Sequence, residues 1–512
     1  MPSIDHDLAR HQIIDQRPGH YLCFPDLCRA GDGRLLLVYR EADRHVARRR
    51  KLLLRHSEDG GRSWSLPRVL DAAGGHCPRL ARLDGDQLVC IDDDPHRLHW
   101  SLDHGLTWAD HPADGFSGHG IPDRVLELGP NTLLTAAHQH RGSHPHPAVG
   151  QPPTEPMSYL SEDRGRTWRP LSVMAHGPHL VLCEASMARL PDGRVLALLR
   201  ENSHVFEPMY AVQSRDQGRT WSEPAPTPLI GHRPTLGLTR DGRLLVTYRD
   251  TGPARGVSAW LGAPEDLLDG QGFAVHGRDH GAARLTDQGL LLDGSVAGER
   301  RVLYALRSLT DPGSARAALD VEVQVLPNIP GGCGIRFGLG WFLEQGRIRA
   351  AQRGASPVPL PTDRPARLRF VYEPGQVSLW LEGRRRRTYR VPMDVSARPV
   401  LVGSPPGEGA MGRSLWTRLT LRISEPRYQR EYAWEWTPAH GMPDAWVREN
   451  VLVLRREPDA VWPDFGYTGW SEVADNEFLC AYHFARGAVP GYEPGLAAHI
   501  ASTRFFASDF SA

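Results

Sequence analysis

Apolar positions along this chain fall in short alternating runs separated by turn residues, a pattern typical of β-strands. One template recurs six times: two apolar runs around a two-residue turn such as Asp-Gly, which is a strong hairpin signal. The six hairpins span 24–40, 77–92, 121–138, 184–200, 233–249 and 467–484. Repeats of about 40 to 50 residues indicate a propeller or solenoid. The chain is therefore predicted to be all-β, a propeller of six blades, with seven blades as the main alternative.

An eight-residue motif follows four of these hairpins after a third strand. It reads SEDGGRSW from Ser57, SLDHGLTW from Ser101, SEDRGRTW from Ser161 and SRDQGRTW from Ser214. The glycine tolerates positive φ, the aspartate can accept hydrogen bonds from turn amides, and the tryptophan supplies an apolar plate between blades. The motif is therefore predicted to be a structural turn on the outer side of a blade, away from the channel.

The propeller template is interrupted between about residues 265 and 430. This interval carries its own alternating strands, such as ALDVEVQVL and ARLRFVYE, without the hairpin template of the blades. We predict a propeller over 1–265, an inserted β-sandwich over 266–428, and a return to the fifth and sixth blades over 429–512. Strands from both chain ends are expected to close the sixth blade. The basic run 384–387 is read as a solvated strand end.

Composition narrows the range of partners and cofactors. Sixty Lys and Arg residues balance sixty Asp and Glu residues, so the overall field favours neither nucleic acid nor an anionic membrane. The charged start, MPSIDHDLARHQ, lacks the apolar core of a signal peptide, and no run is long enough for a membrane helix. We expect a cytoplasmic protein with seven buried free thiols. No phosphate loop or dinucleotide fingerprint occurs, so we expect no cofactor.

The eight-residue motif is the Asp-box, or BNR repeat, and with it residues 15–265 and 430–512 resemble the sialidase (neuraminidase) superfamily of six-bladed propellers. The inserted segment resembles concanavalin-like (jelly-roll) lectin modules, in a glycan-binding or a purely structural role. Asp-box repeats also occur in proteins that are not sialidases, so any activity has to be argued from the site.

Inner strands of a propeller line its channel, so residues at one register of the hairpins should converge at one mouth. Counting eight positions back from the turn places Phe24, Glu184, Arg233 and Tyr467 at that register, with Cys77 aligned by its strand. An acid, a cation and a phenol at equivalent positions favour a functional site over a packing core.

The resemblance implies roles for these residues. Tyr467 would be the nucleophile and Glu184 the base that takes its phenolic proton, because a neutral tyrosine can approach an anionic sugar that repels a carboxylate. Asp43, in the loop after the second strand of the first blade, would be the acid for the leaving group. Arg200 would bind the substrate carboxylate, with Arg233 or Arg255 as a second arginine. Arg249 is read as a flanking residue.

The chain departs from the family in its first blade. Sialidases carry an arginine in an R-x-P element there, but this chain has Cys23 and Phe24 at that place. Arg40 is the predicted substitute. Without a complete arginine triad the substrate can be sialic acid, another acidic sugar such as a uronic acid, or a neutral sugar.

The histidine cluster HQHRGSHPH at 138–146 is read as an exposed loop rather than a metal site. If it faces the channel, His138 and His140 would bind sugar or act as the base of a lyase. We therefore expect an exo-glycoside hydrolase that acts on a glycan or small sugar by a retaining mechanism. The alternatives are a uronic-acid-directed propeller lyase or glycosidase, and a non-catalytic carbohydrate-binding propeller.

Overall fold

Antiparallel four-stranded sheets make up the first part of the chain and return at its end. The structure, a computed structural model, describes residues 2–116, 118–140, 154–203, 206–268, 272–279, 281–297, 301–392, 399–407, 409–457, 459, 461–485 and 493–511. Within these residues six four-stranded sheets form the blades of a propeller. Two larger sheets form a separate body, which we call the inserted body. The predicted all-β, six-bladed propeller is confirmed.

The first four blades are each built from consecutive strands. Strand β1 (His11–Asp15) precedes them. The first blade has β2 (Tyr21–Arg29), β3 (Leu35–Ala42), β4 (Arg50–Ser57) and β5 (Arg68–Asp71), and the second has β6 (Arg79–Arg82), β7 (Leu88–Asp92), β8 (Arg97–Ser101) and β9 (Ala109–Pro112). The third has β10 (Leu126–Gly129), β11 (Thr132–His140), β12 (Thr154–Ser161) and β13 (Arg169–Val173), and the fourth has β14 (Leu182–Arg189), β15 (Val195–Glu201), β16 (Tyr210–Ser214) and β17 (Ala225–Pro226).

The fifth blade contains an interruption of the chain. Its first three strands are β18 (Gly231–Leu238), β19 (Leu244–Asp250) and β20 (Gly256–Gly262), followed by the short helix α1 (Pro264–Leu268). Its fourth strand, which pairs with β20, is β36 (Val451–Arg456). The two larger sheets are formed by the chain between these two strands.

The two larger sheets enclose their own core. One contains β21 (His276–Arg278), β24 (Leu303–Leu306), β33 (Val400–Gly403), β26 (Gly332–Phe337), β27 (Leu339–Glu344), β28 (Arg347–Ala350) and β29 (Val358–Pro359). The other contains β22 (Ala283–Thr286), β23 (Gly289–Asp293), β34 (Arg413–Glu425), β25 (Arg316–Leu326), β30 (Ala366–Glu373), β31 (Gln376–Leu381) and β32 (Arg384–Arg390), with β35 (Arg430–Trp436) on β34. Apolar side chains of both sheets share one buried cluster. Since β35 pairs here, the predicted boundary at 428 precedes the last strand of this body.

The remaining elements close the propeller. The short helix α2 (Gly294–Ala297) lies in the inserted body, and α3 (Ala445–Asn450) precedes β36. The sixth blade has β37 (Phe465–Ala474), β38 (Glu477–Phe484) and β39 (His499–Phe506), and β1 pairs with β39 as its outer strand. Among the described residues, no helix is long and apolar enough to cross a membrane. All seven cysteines are buried, and none forms a disulfide.

The four Asp-boxes have nearly the same geometry, each between the third and fourth strands of its blade. In the copy at Ser161, the serine hydroxyl donates to Asp163 (2.8 Å) and the Thr167 amide donates to the same carboxylate (2.9 Å). Gly165 has φ +84°, and its amide donates to the Ser161 hydroxyl (2.8 Å). Both oxygens of the Asp163 carboxylate accept hydrogen bonds inside the turn, which makes Asp163 a structural residue.

A polar cluster fills the centre of the propeller where the inner strands meet. The buried Arg79 guanidinium donates to the Thr235 hydroxyl (3.3 Å) and to the Thr468 carbonyl (3.2 Å). It lies 3.6 Å from the carboxylates of both Asp26 and Asp123. Sequence reasoning missed this cluster, although four of its residues directly follow a proline of an inner-strand segment. The cluster forms the floor beneath the channel mouth.

A buried ion cluster joins the fourth blade to the inserted body. Glu207, between β15 and β16, accepts hydrogen bonds from Arg307 (3.0 Å) and Arg430 (2.9 Å) of the inserted body. Burial alone would raise the pKa of Glu207, but the two guanidinium groups hold it well below its ordinary value. The stabilisation it contributes is therefore present above its unfolded pKa, near 4.5, and is lost as the pH falls below that value.

We expect Glu207→Ala to lower the stability of the protein by about 3–5 kcal/mol, because Arg307 loses this carboxylate and Arg430 keeps only Glu425. Calorimetric melting temperatures at pH 7 measure the loss. The matched control is Glu265→Ala, which removes the exposed partner of Arg194 and should cost about 1 kcal/mol or less. Equal shifts for the two variants would contradict the role assigned to the cluster.

Candidate active site

Three of the residues predicted to share one register lie in bulges at the mouth end of the inner strands. The pairing of inner and second strands shifts between Cys23 and Asp26, between Cys183 and Ser186, and between His232 and Thr235. Phe24, Glu184 and Arg233 stand first in these bulges, with φ of 55°, 35° and 50°. Positive φ in such residues is costly and tends to mark functional sites. The bulges direct these three positions to the channel mouth.

Tyr467 occupies a different register from the one that was predicted. In the sixth blade the equivalent bulge contains Gly466 (φ +85°), and Tyr467 is the second bulge residue. A second register shift, between Glu472 and Ala474, adds one residue before the turn. Counting back from the turn therefore stopped one position short of Gly466. The Tyr467 side chain nevertheless reaches the same mouth.

Tyr467, Glu184 and Arg200 form one buried hydrogen-bonded cluster. The Tyr467 hydroxyl donates to Glu184 Oε1 (2.7 Å) and accepts from Arg200 Nη1 (2.7 Å). The same Arg200 nitrogen donates to Glu184 Oε2. Arg200 is the residue at the end of β15 that pairs with Cys183, next to Glu184. The structure thus brings together the three residues that sequence reasoning had placed at the centre of the site.

Burial and the arginines set opposite protonation states for the acid and the phenol. Burial alone would raise the pKa of Glu184, but Arg200 and Arg233 hold it well below its ordinary value. Burial raises the pKa of Tyr467 well above 10, and Arg200 only partly opposes that rise. At neutral pH the pair is therefore a phenol hydrogen-bonded to a carboxylate. A base is in place to accept the phenolic proton.

Arg249 was predicted to be a flanking residue, but in the structure its guanidinium group lies beside the Tyr467 ring. Its guanidinium carbon lies 4.3 Å from the centre of the Tyr467 ring and 4.2 Å from that of Trp462. It donates to the Phe465 and Pro463 carbonyls. Arg249 ends β19 just as Arg200 ends β15, and this shared position was the signal that could have identified it. A second cation therefore lies beside the phenol.

Arg233 presents an unused guanidinium group to the site. Its side chain is buried and its guanidinium carbon lies 5.8 Å from the centre of the Tyr467 ring. Among the described residues, neither Nη1 nor Nη2 of Arg233 has a hydrogen-bond partner. Two free donors on one planar group match the two oxygens of a carboxylate.

Phe24 occupies the place where the family has its first arginine. Its ring lies 5.0 Å from the Tyr467 ring and contacts the imidazoles of His45, His76 and His483 at 5.3–5.7 Å. Arg40, the predicted substitute for that arginine, makes local contacts. Its guanidinium lies 4.6 Å from the Phe24 ring centre and donates to the His45 carbonyl (2.7 Å). This side of the mouth is aromatic.

Asp43 lies in the loop after β3, where its contacts are local. It accepts hydrogen bonds from the amides of Arg48 (2.9 Å) and Arg49 (3.2 Å). Against the small effect of burial, these amides lower its pKa. The structure does not bring this carboxylate into the Tyr467 cluster, and its present contacts favour the ionised form.

Arg255 faces an adjoining cavity rather than the Tyr467 cluster. The cavity has a volume of about 440 Å³ and is lined by Glu201, Glu207, His232, Arg255, Trp462 and Phe465, among others. Trp462 stands between this cavity and Arg249. In the histidine-rich segment 138–146, His138 is buried at the end of β11, while 141–146 lie outside the described residues.

Comparisons with known proteins support the fold and the repeat. The model of the BNR repeat-like domain matches residues 92–257. A protein of unknown function from Dyadobacter fermentans shares the fold, with 14% identity over 97% of both chains and a TM-score of 0.50. A Trypanosoma rangeli sialidase mutant with trans-sialidase activity aligns at 13% identity over 82% of this chain and 83% of its own (TM-score 0.35). A Lactobacillus gasseri sucrose-6-phosphate hydrolase aligns at 11% over 80% and 92% (TM-score 0.31).

No curated protein matches the chain by sequence. The predicted resemblance to the Asp-box sialidase superfamily is confirmed at the level of repeat and fold. What the propeller does has to be inferred from its site.

Proposed function

We propose that the protein is a retaining exo-glycoside hydrolase with Tyr467 as nucleophile and Glu184 as its base. The observation that carries the proposal is the hydrogen bond from the Tyr467 hydroxyl to Glu184 Oε1 (2.7 Å), with Arg200 donating to both. A phenol is a weak nucleophile at neutral pH, so a contacting carboxylate is the activation that it needs.

The reaction proceeds in two steps. In the first, Tyr467 Oη bonds to the anomeric carbon, its proton passes to Glu184, and the bond to the leaving oxygen breaks with both electrons on that oxygen. In the second, water attacks the anomeric carbon and gives a proton to the Asp43 carboxylate, the departing phenolate takes back the proton that Glu184 holds, and the configuration is restored by two inversions. Arg200 and Arg249, beside the ring, stabilise the phenolate that departs.

The leaving oxygen also needs a proton, and Asp43 stays the predicted donor. For that role the loop 43–49 has to release its carboxylate from the Arg48 and Arg49 amides. Those hydrogen bonds favour the ionised form, so Asp43 can act as an acid only after substrate displaces them.

The substrate class in this proposal is an acidic sugar. Arg233 offers two guanidinium nitrogens without hydrogen-bond partners inside the site, and buried donors of this kind are costly unless an acceptor arrives. A neutral tyrosine suits such a substrate, because it does not repel the carboxylate that the arginine holds. The Phe24 ring, in place of the first arginine, offers an apolar surface to the sugar face.

A panel of fluorogenic glycosides tests the proposal. We expect turnover of an α-sialoside or a uronide and at least tenfold slower turnover of neutral glycosides. Proton NMR should show the first product in the anomeric configuration of the substrate. A 2,3-difluoro analogue should leave a covalent adduct on the Tyr467 peptide. Glycan binding without turnover of any glycoside would instead indicate a non-catalytic propeller.

One observation favours a second candidate, a lyase that acts on uronic acids. The imidazole of His483 lies 5.9 Å from the Tyr467 ring, and burial, with Arg249 and His45, holds its pKa well below the ordinary value. Burial and Arg40 lower the pKa of His45 to about 4. Neutral imidazoles beside a phenol and arginines are groups that could remove a proton next to a carboxylate. Such a lyase would release an unsaturated product that absorbs in the ultraviolet.

A further inference from the structure

Three buried metal-binding side chains converge between the first and second blades, away from the Tyr467 cluster. Asp71 ends β5, the outer strand of the first blade, while Asp92 ends β7 and His99 lies on β8 of the second. His99 Nε2 lies 3.8 Å from Asp92 Oδ2 and 3.9 Å from Asp71 Oδ2. All three side chains are at least nine-tenths buried. Two carboxylates and an imidazole therefore face one another in the interior.

The polar atoms that face one another lack protein partners. Among the described residues, Asp92 Oδ1 and Oδ2, Asp71 Oδ2 and His99 Nε2 have no hydrogen-bond partner, and Asp92 is fully buried. Buried carboxylate oxygens are normally hydrogen-bonded, since their desolvation is costly otherwise. The Asp92 carboxylate in particular needs a cation or proton that the surrounding protein does not supply.

The remaining contacts orient the ligand atoms. The Ala73 amide donates to Asp71 Oδ1 (2.7 Å), which leaves Oδ2 directed at His99. The Arg97 guanidinium lies 3.6 Å from Asp71 Oδ2 but is 30% exposed and also pairs with Asp110. One partly solvated cation that is shared with a third carboxylate cannot neutralise two buried ones. A hydrogen bond that orients a ligand carboxylate, as the Ala73 amide does for Asp71, is typical of metal sites.

We propose that Asp71, Asp92 and His99 bind a divalent transition-metal ion that joins the first two blades. Zinc bonds of about 2.0–2.1 Å hold tetrahedral ligand atoms roughly 3.3–3.4 Å apart, so the two separations between His99 and the carboxylates need to close by only about half an ångström, and all three ligand atoms already lie within 4.8 Å of one another. The imidazole disfavours calcium, which takes oxygen ligands. Sequence spacing predicted no metal site, because the three ligands come from three strands and form no local motif.

Zinc titration of the full-length, chelator-treated protein tests the site. We expect one zinc per chain from ZnCl₂ alone, a melting temperature that rises by several degrees, and no comparable rise with CaCl₂. Asp92→Asn and His99→Gln should each weaken zinc binding at least tenfold and remove the thermal response. Because these variants alter a buried site, circular dichroism in chelator has to show that they are folded.

Asp84→Asn is the matched control, since it removes an exposed carboxylate of the same blade outside the cluster and should keep the zinc response. Cobalt substitution gives a second readout that does not depend on stability, as visible absorption bands that the His99→Gln protein should lose. Absence of zinc binding by the unaltered chain, or equal binding by the Asp92→Asn protein, would overturn the proposal. The latter result would place zinc elsewhere. None of these outcomes depends on glycosidase activity.

Discussion

Tyr467→Phe is expected to lower kcat on an acidic-sugar glycoside by at least about 10³-fold, equivalent to roughly 4 kcal/mol of barrier. The change removes one oxygen, the atom that donates to Glu184 and accepts from Arg200. The ion pair between Glu184 and Arg200 remains, so the variant should fold normally. Affinity for a non-hydrolysed analogue should change only a few-fold, because the arginines that bind the carboxylate are untouched.

Steady-state kinetics and calorimetric titration with the analogue separate the two effects. The control is Tyr482→Phe, which removes a buried hydroxyl that contacts Thr503 instead. That variant should keep kcat within a few-fold of the unaltered protein. More than a tenth of the original kcat in the Tyr467→Phe protein would rule out the tyrosyl intermediate.

Arg233→Met is expected to lower kcat/KM for an acidic glycoside by about 10²–10³-fold, mainly through KM. The variant loses a buried guanidinium group whose Nη1 and Nη2 have no hydrogen-bond partner among the described residues. In the complex with substrate, this loss removes one partner of a buried charge pair. Since the ion pair between Glu184 and Arg200 remains in this variant, the melting temperature should change little. Loss of function without loss of stability distinguishes a binding residue from a structural one.

Two further variants sharpen this experiment. Arg233→Lys keeps the charge but not the planar pair of donors, so it should recover only part of the lost affinity. Arg243→Met, on an exposed arginine that pairs with Asp241 in the same blade, should change neither constant. A marked fall in melting temperature with unchanged KM would show that Arg233 serves the fold.

The centre of the site could be predicted because it depends on periodic features. Hairpin spacing brought Glu184, Arg233 and Tyr467 to one mouth, and the family resemblance added Arg200. The register of Tyr467 could not be obtained in this way, because the shift between Glu472 and Ala474 leaves the apolar pattern unchanged. A bulge adds a residue without altering the composition of a strand.

Other residues were missed because their roles depend on packing between distant segments. Arg249 differs from a flanking arginine only through the approach of Trp462 and Tyr467 from the last blade. Arg40 was predicted to replace the missing arginine, and in the structure it contacts the His45 carbonyl and the Phe24 ring. Loop conformation decides the contacts of Asp43, and no spacing rule predicts which amides a loop carboxylate will bind.

The interruption of the fifth blade also affects how the protein is made. On the ribosome, β20 emerges long before β36, and residues 263–450 of the inserted body are synthesised between them. During that interval the outer edge of β20 in the fifth blade is unpaired. Strand β1 likewise stays unpaired until β39 has been synthesised, when nearly the whole chain has been translated. Exposed strand edges favour aggregation. The inserted body has its own core, so its early folding would shorten the distance that β36 must search and limit the lifetime of that open edge.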